Sequence, residues 1–97
     1  MSVIVIINLS AKDESVEEIK KFLKESLPDT RSFEGCQGIQ LYVSIGSPSK
    51  LVLHEKWTSE EAFKKYIAWR AETRALDRLA PMLSETFNPE FYQIIDE

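Results

Sequence analysis

The stretch Val3-Ile4-Val5-Ile6-Ile7 is an unbroken run of β-branched residues near the start of the chain. Such side chains favour extended backbone, so the run predicts a strand over residues 1–9. Because apolar residues follow one another without alternation, we expect both faces of this strand to be covered. One layer of helices covers only one face of a sheet, so something else must cover the other.

A helix is predicted after this strand. Ser15 and Glu18 have the spacing of a capping box, in which each side chain bonds the backbone of the other residue. Pro28 predicts that the helix ends at Leu27, because a proline disfavours the helical conformation of the residue before it. One helical face carries the apolar residues Val16, Ile19, Phe22, Leu23 and Leu27. We expect this face to pack against the sheet.

Two further strands are predicted to form a hairpin. Residues 37–46 alternate between apolar and polar side chains, which places Ile45 on the apolar face. Residues 51–57 are mostly apolar, and the turn cluster Gly46-Ser47-Pro48-Ser49 lies between the two segments. Short, turn-forming residues between two strand-like segments are typical of an antiparallel pair.

The rest of the chain predicts helices and a closing strand. Thr58 and Glu61 have capping-box spacing at the start of a second helix, whose apolar stripe includes Phe63 and Tyr66. An apolar set within residues 76–83 predicts another helical segment, either separate from that helix or continuous with it. Residues 91–95 predict the last strand.

The predicted order of elements is the ferredoxin-like pattern, in which helices pack on one face of an antiparallel sheet. The fold class is therefore α+β, in a single domain over residues 1–97. Leu51, Val52 and Leu53 are apolar on both faces of their strand, as the first strand is. We therefore expect a second copy, related by two-fold symmetry, to cover the open sheet face. The expected assembly is a homodimer, a dimeric α/β barrel with one cavity per subunit.

Composition narrows the class of protein. The chain has 97 residues, with 16 Asp and Glu against 12 Lys and Arg, for a net charge of −4. An acidic chain of this kind does not predict a nucleic-acid partner. The single cysteine, Cys36, fits a reducing compartment, and no apolar run is long enough to span a membrane, so we expect a cytoplasmic protein. The single histidine, His54, and Cys36 do not have the spacing of metal ligands, so no metal site is expected.

Several segments together resemble the antibiotic biosynthesis monooxygenase family. They are Glu34-Gly35-Cys36, Leu41-Tyr42, the strand Leu51-Val52-Leu53-His54-Glu55-Lys56-Trp57 with the helix start after it, and Leu79-Ala80-Pro81-Met82-Leu83. The resemblance covers about residues 3–95. It implies a dimeric α+β barrel and, as the expected function, a cofactor-independent monooxygenase that acts with dioxygen on a flat phenol or quinol. Such an enzyme deprotonates the phenol, stabilises the anion and excludes water.

The resemblance also implies site residues. Relatives often carry an Asn facing the substrate at the end of the first strand, where this chain has Asn8, although a strand-end amide can also bond a loop or face the dimer interface. Relatives commonly have His where this chain has Tyr66 and Ala71, so haem ligation is not expected. Tyr66 and Arg70 are four residues apart and share a helix face, and Arg70 could stabilise a phenolate. The expected catalytic residues are Asn8, Tyr66 and Arg70.

Four further residues are expected to bind substrate: Trp69, Glu55, Tyr42 and Phe63. Glu55 lies on an apolar strand face, so its carboxyl should be paired or have a raised pKa. A partner such as Arg31, Arg70 or Arg74 would explain it, and a role as general base is the alternative. Tyr42 could instead line the dimer interface, and His54 could face either the interface or the cavity.

Two other functions are compatible with these residues. The first is a non-catalytic dimer that binds a small ligand or a protein, in which Tyr66 and Trp69 form the rim of the core and Arg70 is a solvent-exposed cation. The second is a haem-degrading enzyme, which the missing histidines disfavour.

Overall fold

A computed structural model describes residues 2–96 and contains one four-stranded antiparallel sheet with the strand order β2-β3-β1-β4. The elements in chain order are β1 (Val3–Ser10), α1 (Val16–Ser32), β2 (Cys36–Val43), β3 (Lys50–Trp57), α2 (Glu60–Glu72), α3 (Ala75–Leu79) and β4 (Glu90–Gln93). Short 3₁₀ turns lie at Asp13–Ser15 and Ala80–Met82. The helices pack on one face of the sheet, so the predicted ferredoxin-like α+β fold and the predicted hairpin of β2 and β3 are confirmed. Met1 and Glu97, the ends of the predicted domain, lie outside the described residues.

The two faces of the sheet differ in burial. On β1, Val5, Ile7 and Leu9 are buried beneath the helices. Ile4 and Ile6 point to the opposite face and are half-buried. The prediction that both faces are apolar therefore holds for β1, and the chain itself covers only one of them.

The first helix is longer than predicted. It begins where predicted, with Ser15 at its N-cap position, although the Ser15 side chain makes no capping hydrogen bond. It continues through Pro28 to Ser32, so the predicted end at Leu27 is wrong. A proline inside a helix removes one backbone hydrogen bond. The last turn is held instead by Thr30, which is 1% exposed and whose hydroxyl bonds the Ser26 carbonyl and the Tyr66 hydroxyl. These buried contacts offset the cost of the proline.

The second helical region also differs in detail. Ser59, not Thr58, caps α2, because its side chain accepts a hydrogen bond from the Ala62 amide at 3.1 Å. Helices α2 and α3 are separate, because Arg74 between them has a left-handed backbone with φ of 66°. Ile45 lies beyond the end of β2 and is fully exposed, so the predicted alternating strand ends before it reaches Ile45.

One glycine fixes how β2 joins the core. Gly35 has φ of 94°, and a Cβ placed there would lie 2.6 Å from the Ala62 Cβ. Its carbonyl accepts a hydrogen bond from the Thr58 amide. A glycine is required here both by the backbone conformation and by the close approach to α2. Nowhere in residues 2–96 is there a helix with the length and apolarity to cross a membrane.

Candidate functional site

A cavity of about 60 Å³ lies between the sheet and the three helices. Most of its lining is apolar and comes from β1, β3 and the helices, as with Ile7, Leu53 and Leu76. Its polar lining groups are Ser26, Glu55, Tyr66 and Arg70. We call this space the inner cavity. A small number of polar groups in an apolar cavity is typical of a site that orients a small molecule.

Glu55 is the acidic group of the inner cavity. In the sheet register it lies between Val5 and Ile39, and it is only 2% exposed. The Trp57 indole donates a hydrogen bond from Nε1 to Glu55 Oε1 at 2.8 Å. None of the ion pairs described for residues 2–96 includes Glu55, so the carboxyl is held by a neutral donor in apolar surroundings.

None of the three expected arginines forms a described ion pair with Glu55, and Arg70 acts on its carboxyl only through its charge. Arg31 instead donates to the Ile39 carbonyl, and Arg74 pairs with Asp77. Both side chains belong to helix ends at the surface. In the buried part of β3 the donor is the indole of Trp57, two residues further along the same strand face, and it bonds the carboxylate oxygen of Glu55.

Burial raises the pKa of the Glu55 carboxyl from its ordinary value of 4.5 to about 7, while the Trp57 hydrogen bond and the Arg70 charge lower it by less. A carboxyl with this pKa exchanges its proton near neutral pH. General bases work best when their pKa lies near the working pH. Glu55 is thus chemically suited to accept a proton from a bound ligand.

A hydrogen-bond network around Arg70, at the wall of the inner cavity, connects α1 to α2. Arg70 donates from Nε to the Tyr66 hydroxyl at 2.9 Å, and from Nη2 to the Ser26 carbonyl at 2.9 Å and Thr30 Oγ1 at 3.1 Å. The Tyr66 and Thr30 hydroxyls are 2.7 Å apart. The guanidinium also lies over the Trp69 ring, 4.8 Å from its centroid. The network fixes a positive charge at the wall of the inner cavity.

Comparison with known protein families assigns this sequence to one of them. The sequence profile described as antibiotic biosynthesis monooxygenase matches residues 2–74, which include Glu55, Tyr66 and Arg70. The chain belongs to the antibiotic biosynthesis monooxygenase family. The expected family resemblance is confirmed.

Solved structures agree with the family assignment. The chain is similar to an antibiotic biosynthesis monooxygenase with a TM-score of 0.87 and 19% identity, over 97% of this chain and 99% of that one. A conserved protein from Methanosarcina mazei gives a TM-score of 0.86 and 22% identity, over 96% and 92% of the two chains. SnoaB, a cofactor-independent oxygenase from Streptomyces nogalater, gives 0.83 and 12%, over 99% and 95%. These likenesses establish the fold. No curated protein sequence matches the chain.

Two of the predicted site residues of this family member lie away from the inner cavity. Asn8 and Tyr42 are on the open face of the sheet, on either side of Val52 in the strand register, and both are exposed. Asn8 Nδ2 lies 3.4 Å from an oxygen of Glu90. The structure therefore does not bring Asn8 together with Tyr66 and Arg70, because the alternation of β1 turns it to the other face. His54 lies on the open face too.

Two other predicted residues surround the cavity without lining it. Phe63 is buried against Trp57, Tyr66 and Phe91, with ring centroids 5.5 to 6.2 Å apart. Trp69 lines a separate pocket of about 340 Å³ outside Arg70, which we call the outer basin. Phe63 supports the back of the site, and Trp69 marks its outer side.

The sequence reasoning missed Ser26 and Thr30, which hold Arg70 from α1. Both continue the apolar stripe of α1, because Phe22, Ser26 and Thr30 follow one another at intervals of four residues. Polar residues on a buried helix face were the signal. Pro28 hides this signal for Thr30 only, because a helix that ends at Leu27 excludes Thr30 but includes Ser26.

Cys36 is half-buried, and burial raises the pKa of its thiol. A raised pKa keeps the thiol protonated, which agrees with packing and not with nucleophilic chemistry. Within the described chain, residues 2–96, His, Cys, Asp and Glu side chains form no group of three that could hold a metal ion.

Proposed function

We propose that this chain is a cofactor-independent monooxygenase that oxidises a phenol or quinol with dioxygen in the inner cavity. Glu55 carries the proposal, because it is a 2% exposed carboxyl with a pKa of about 7 facing the same cavity as Tyr66 and Arg70. Family membership supports the reaction class.

The first step is removal of the phenol proton. Glu55 accepts this proton, and the positive charge of Arg70 and the Tyr66 hydroxyl stabilise the phenolate. A charged donor and a buried base on one cavity wall lower the free energy of the anion where it forms.

The second step moves electrons from substrate to dioxygen, and the substrate is the only reductant. The phenolate gives one electron to dioxygen, and the two radicals combine at a ring carbon that carries hydrogen. The resulting peroxide anion takes back the proton held by Glu55 and loses water as its O–O bond and the ring C–H bond break, which leaves a quinone and an ionised Glu55, so that one phenol and one dioxygen give one quinone and one water. The apolar walls of the inner cavity keep bulk water away from these intermediates.

We also propose the homodimer in which the open sheet face is covered by a second copy. Ile4, Ile6 and Val52 on this face are half-buried, and Tyr42 and Tyr92 are 51% and 49% exposed. An apolar sheet face of this kind is typical of an interface. In this assembly Asn8 and Tyr42 are interface residues. Light scattering after size exclusion gives the mass, and Ile6→Lys is expected to yield monomer.

Two smaller proposals complete the assignment. Cys36 fits a reducing compartment, so we propose a cytoplasmic location. A non-catalytic ligand-binding role is the second candidate function, favoured by the position of Asn8, which lies on the open sheet face and away from Tyr66 and Arg70. It predicts binding of aromatic molecules without their oxidation.

Dioxygen uptake tests the proposed function. Purified protein is mixed with a panel of reduced naphthoquinols and anthracenols, with spontaneous oxidation as background and ¹⁸O₂ to trace the oxygen. We expect uptake above background, label in the quinone, and a loss on the order of 100-fold or more in Glu55→Gln. Glu61→Gln, an exposed carboxyl on α2, is the matched control and should retain the rate. Binding without uptake on every compound would favour the second candidate.

A further inference from the structure

Arg70 lies between the inner cavity and the outer basin. The two spaces share four lining residues: Phe22, Ser26, Arg70 and Ala75. Arg70 is the only one of the four with a long, charged side chain, and it is half-buried. The Arg70 side chain therefore lies at the boundary between the two spaces.

The inner cavity is too small to hold a substrate while Arg70 is in place. Its volume of about 60 Å³ is below the ~150 Å³ of a cavity that takes up benzene. Ligand sites generally have about 300–1,000 Å³, and the outer basin alone has about 340 Å³. A phenol ring that reaches Glu55 therefore needs more space than the inner cavity now offers, and the Arg70 side chain occupies the boundary with the larger outer basin.

The hold on Arg70 is polar and reversible. Three hydrogen bonds connect its guanidinium to Ser26, Thr30 and Tyr66, and none of the ion pairs described for residues 2–96 includes it. When the guanidinium leaves, the buried Tyr66 hydroxyl still bonds Thr30 Oγ1 and the Thr30 hydroxyl still bonds the Ser26 carbonyl, so neither loses its last hydrogen-bond partner. The guanidinium can thus turn toward the outer basin without leaving an unpaired carboxylate behind.

The two spaces differ in chemistry. The inner cavity is apolar apart from the groups already named, whereas the outer basin carries Glu25, Asp29 and Arg78 along with Trp69. An aromatic ring suits the inner cavity, and a polar substituent suits the outer basin. The pair therefore fits an amphipathic phenol better than a plain hydrocarbon ring system.

We propose that Arg70 is a gate, and that ligands enter from the outer basin and reach Glu55 by displacing its guanidinium. This inference rests on the proposed function for the identity of the ligand as a phenol. What it adds to that function is the route by which the ligand enters and the residue that controls its entry. Arg70 thus has two roles, closing the passage when the cavity is empty and facing the phenolate when it is occupied.

Ligand-binding kinetics test the gate without any oxygenation. The probe is 1-naphthol under argon, and stopped-flow tryptophan fluorescence follows it because Trp69 lines the outer basin. A gate controls passage in both directions, so Arg70→Ala should raise both the association and dissociation rate constants, each on the order of tenfold. Thr30→Val removes one holding hydrogen bond and keeps the charge, and should raise both by about fivefold. Lys65→Ala, an exposed cation on α2, is the control and should change neither.

The outcomes separate the gate from simple contact. A residue that only contacts the ligand would change the dissociation rate alone, and that result would overturn the proposal. Unchanged rates in both variants, or no binding of 1-naphthol by any variant, would also overturn it. Thermal unfolding followed by circular dichroism shows which variants are folded. If Arg70→Ala is not folded, the rate constants of Thr30→Val decide the test. Because dioxygen is absent, the gate can be confirmed even if oxygenase activity is later not found.

Discussion

Replacing Glu55 with glutamine should make the folded chain more stable at neutral and alkaline pH. The carboxyl is buried, and its ionised form is disfavoured by loss of hydration. Glutamine is nearly the same shape, carries no charge, and keeps an oxygen that can accept the Trp57 indole hydrogen bond. The substitution therefore removes the charge penalty while preserving the packing.

The size of the effect follows from the two pKa values. Glu55 has a pKa of about 7 in the folded chain and 4.5 as an ordinary carboxyl. Each unit corresponds to ~1.4 kcal/mol, so the full penalty is about 3 kcal/mol. Below pH 4.5 the carboxyl is protonated in both states and no penalty exists. Between pH 4.5 and about 7 the folded state binds more protons than the unfolded state, so stability falls as pH rises.

Urea unfolding measures this difference. Free energies of unfolding are determined for wild type and Glu55→Gln at intervals from pH 4 to pH 8.5, at one protein concentration. Subtracting one curve from the other cancels the other carboxyls. We expect the two proteins to be nearly equal at pH 4 and to differ by about 3 kcal/mol, in favour of Glu55→Gln, above pH 8. Glu61→Gln should show no such pH dependence.

Two results would refute the reasoning. A difference that does not change with pH would mean that Glu55 titrates as an ordinary carboxyl. A Glu55→Gln protein less stable than wild type at pH 8 would mean that the ionised carboxylate is well solvated or paired. In either case Glu55 would not have the pKa that the proposed base requires.

Substitutions at three further sites, with one control at Gly46, test local features of the fold. Gly35→Ala should cost more than ~2 kcal/mol of stability in urea unfolding, because its Cβ would meet Ala62 and its φ is positive, whereas Gly46→Ala, in open space, should cost less than ~0.5 kcal/mol. Arg74→Gly should be more stable than Arg74→Ala by about 1 kcal/mol in thermal unfolding, because glycine tolerates the left-handed backbone; equal stabilities would argue against strain there. Tyr66→Phe should lose about 1–2 kcal/mol, since a buried hydroxyl bonded to Thr30 and Arg70 is removed, and an unchanged midpoint would contradict that network.

The fold was predictable because its signals are local and repeated. The β-branched run of β1, the hairpin turn after β2 and the apolar stripe of α1 each indicate one element, and their order allows few topologies. The helix boundaries were less predictable. Pro28 was a correct local reason to end α1, but Thr30 makes buried contacts with a helix more than 30 residues later in the sequence. Such tertiary contacts do not show in a short window of sequence.

The site was predictable only in part. The spacing of Tyr66 and Arg70 placed them together. The apolar strand face of Glu55 indicated either a paired carboxyl or a raised pKa, and burial raises the pKa. Asn8 was assigned a catalytic role by resemblance alone, and the alternation of β1 turns it to the opposite face. The face of a strand that meets the helices depends on the whole sheet, so it could not be read from Asn8 itself.

The pH dependence of oxygenation tests the central claim, that Glu55 is the base. Initial rates of dioxygen uptake on a quinol that the protein oxidises are measured from pH 5 to pH 9 for wild type and Glu55→Gln. A base must be deprotonated to act, so the wild-type rate should rise with pH through an inflection near 7. The Glu55→Gln rate should be low, without that inflection. A Glu55→Gln protein with the wild-type rate and the same inflection would contradict the account.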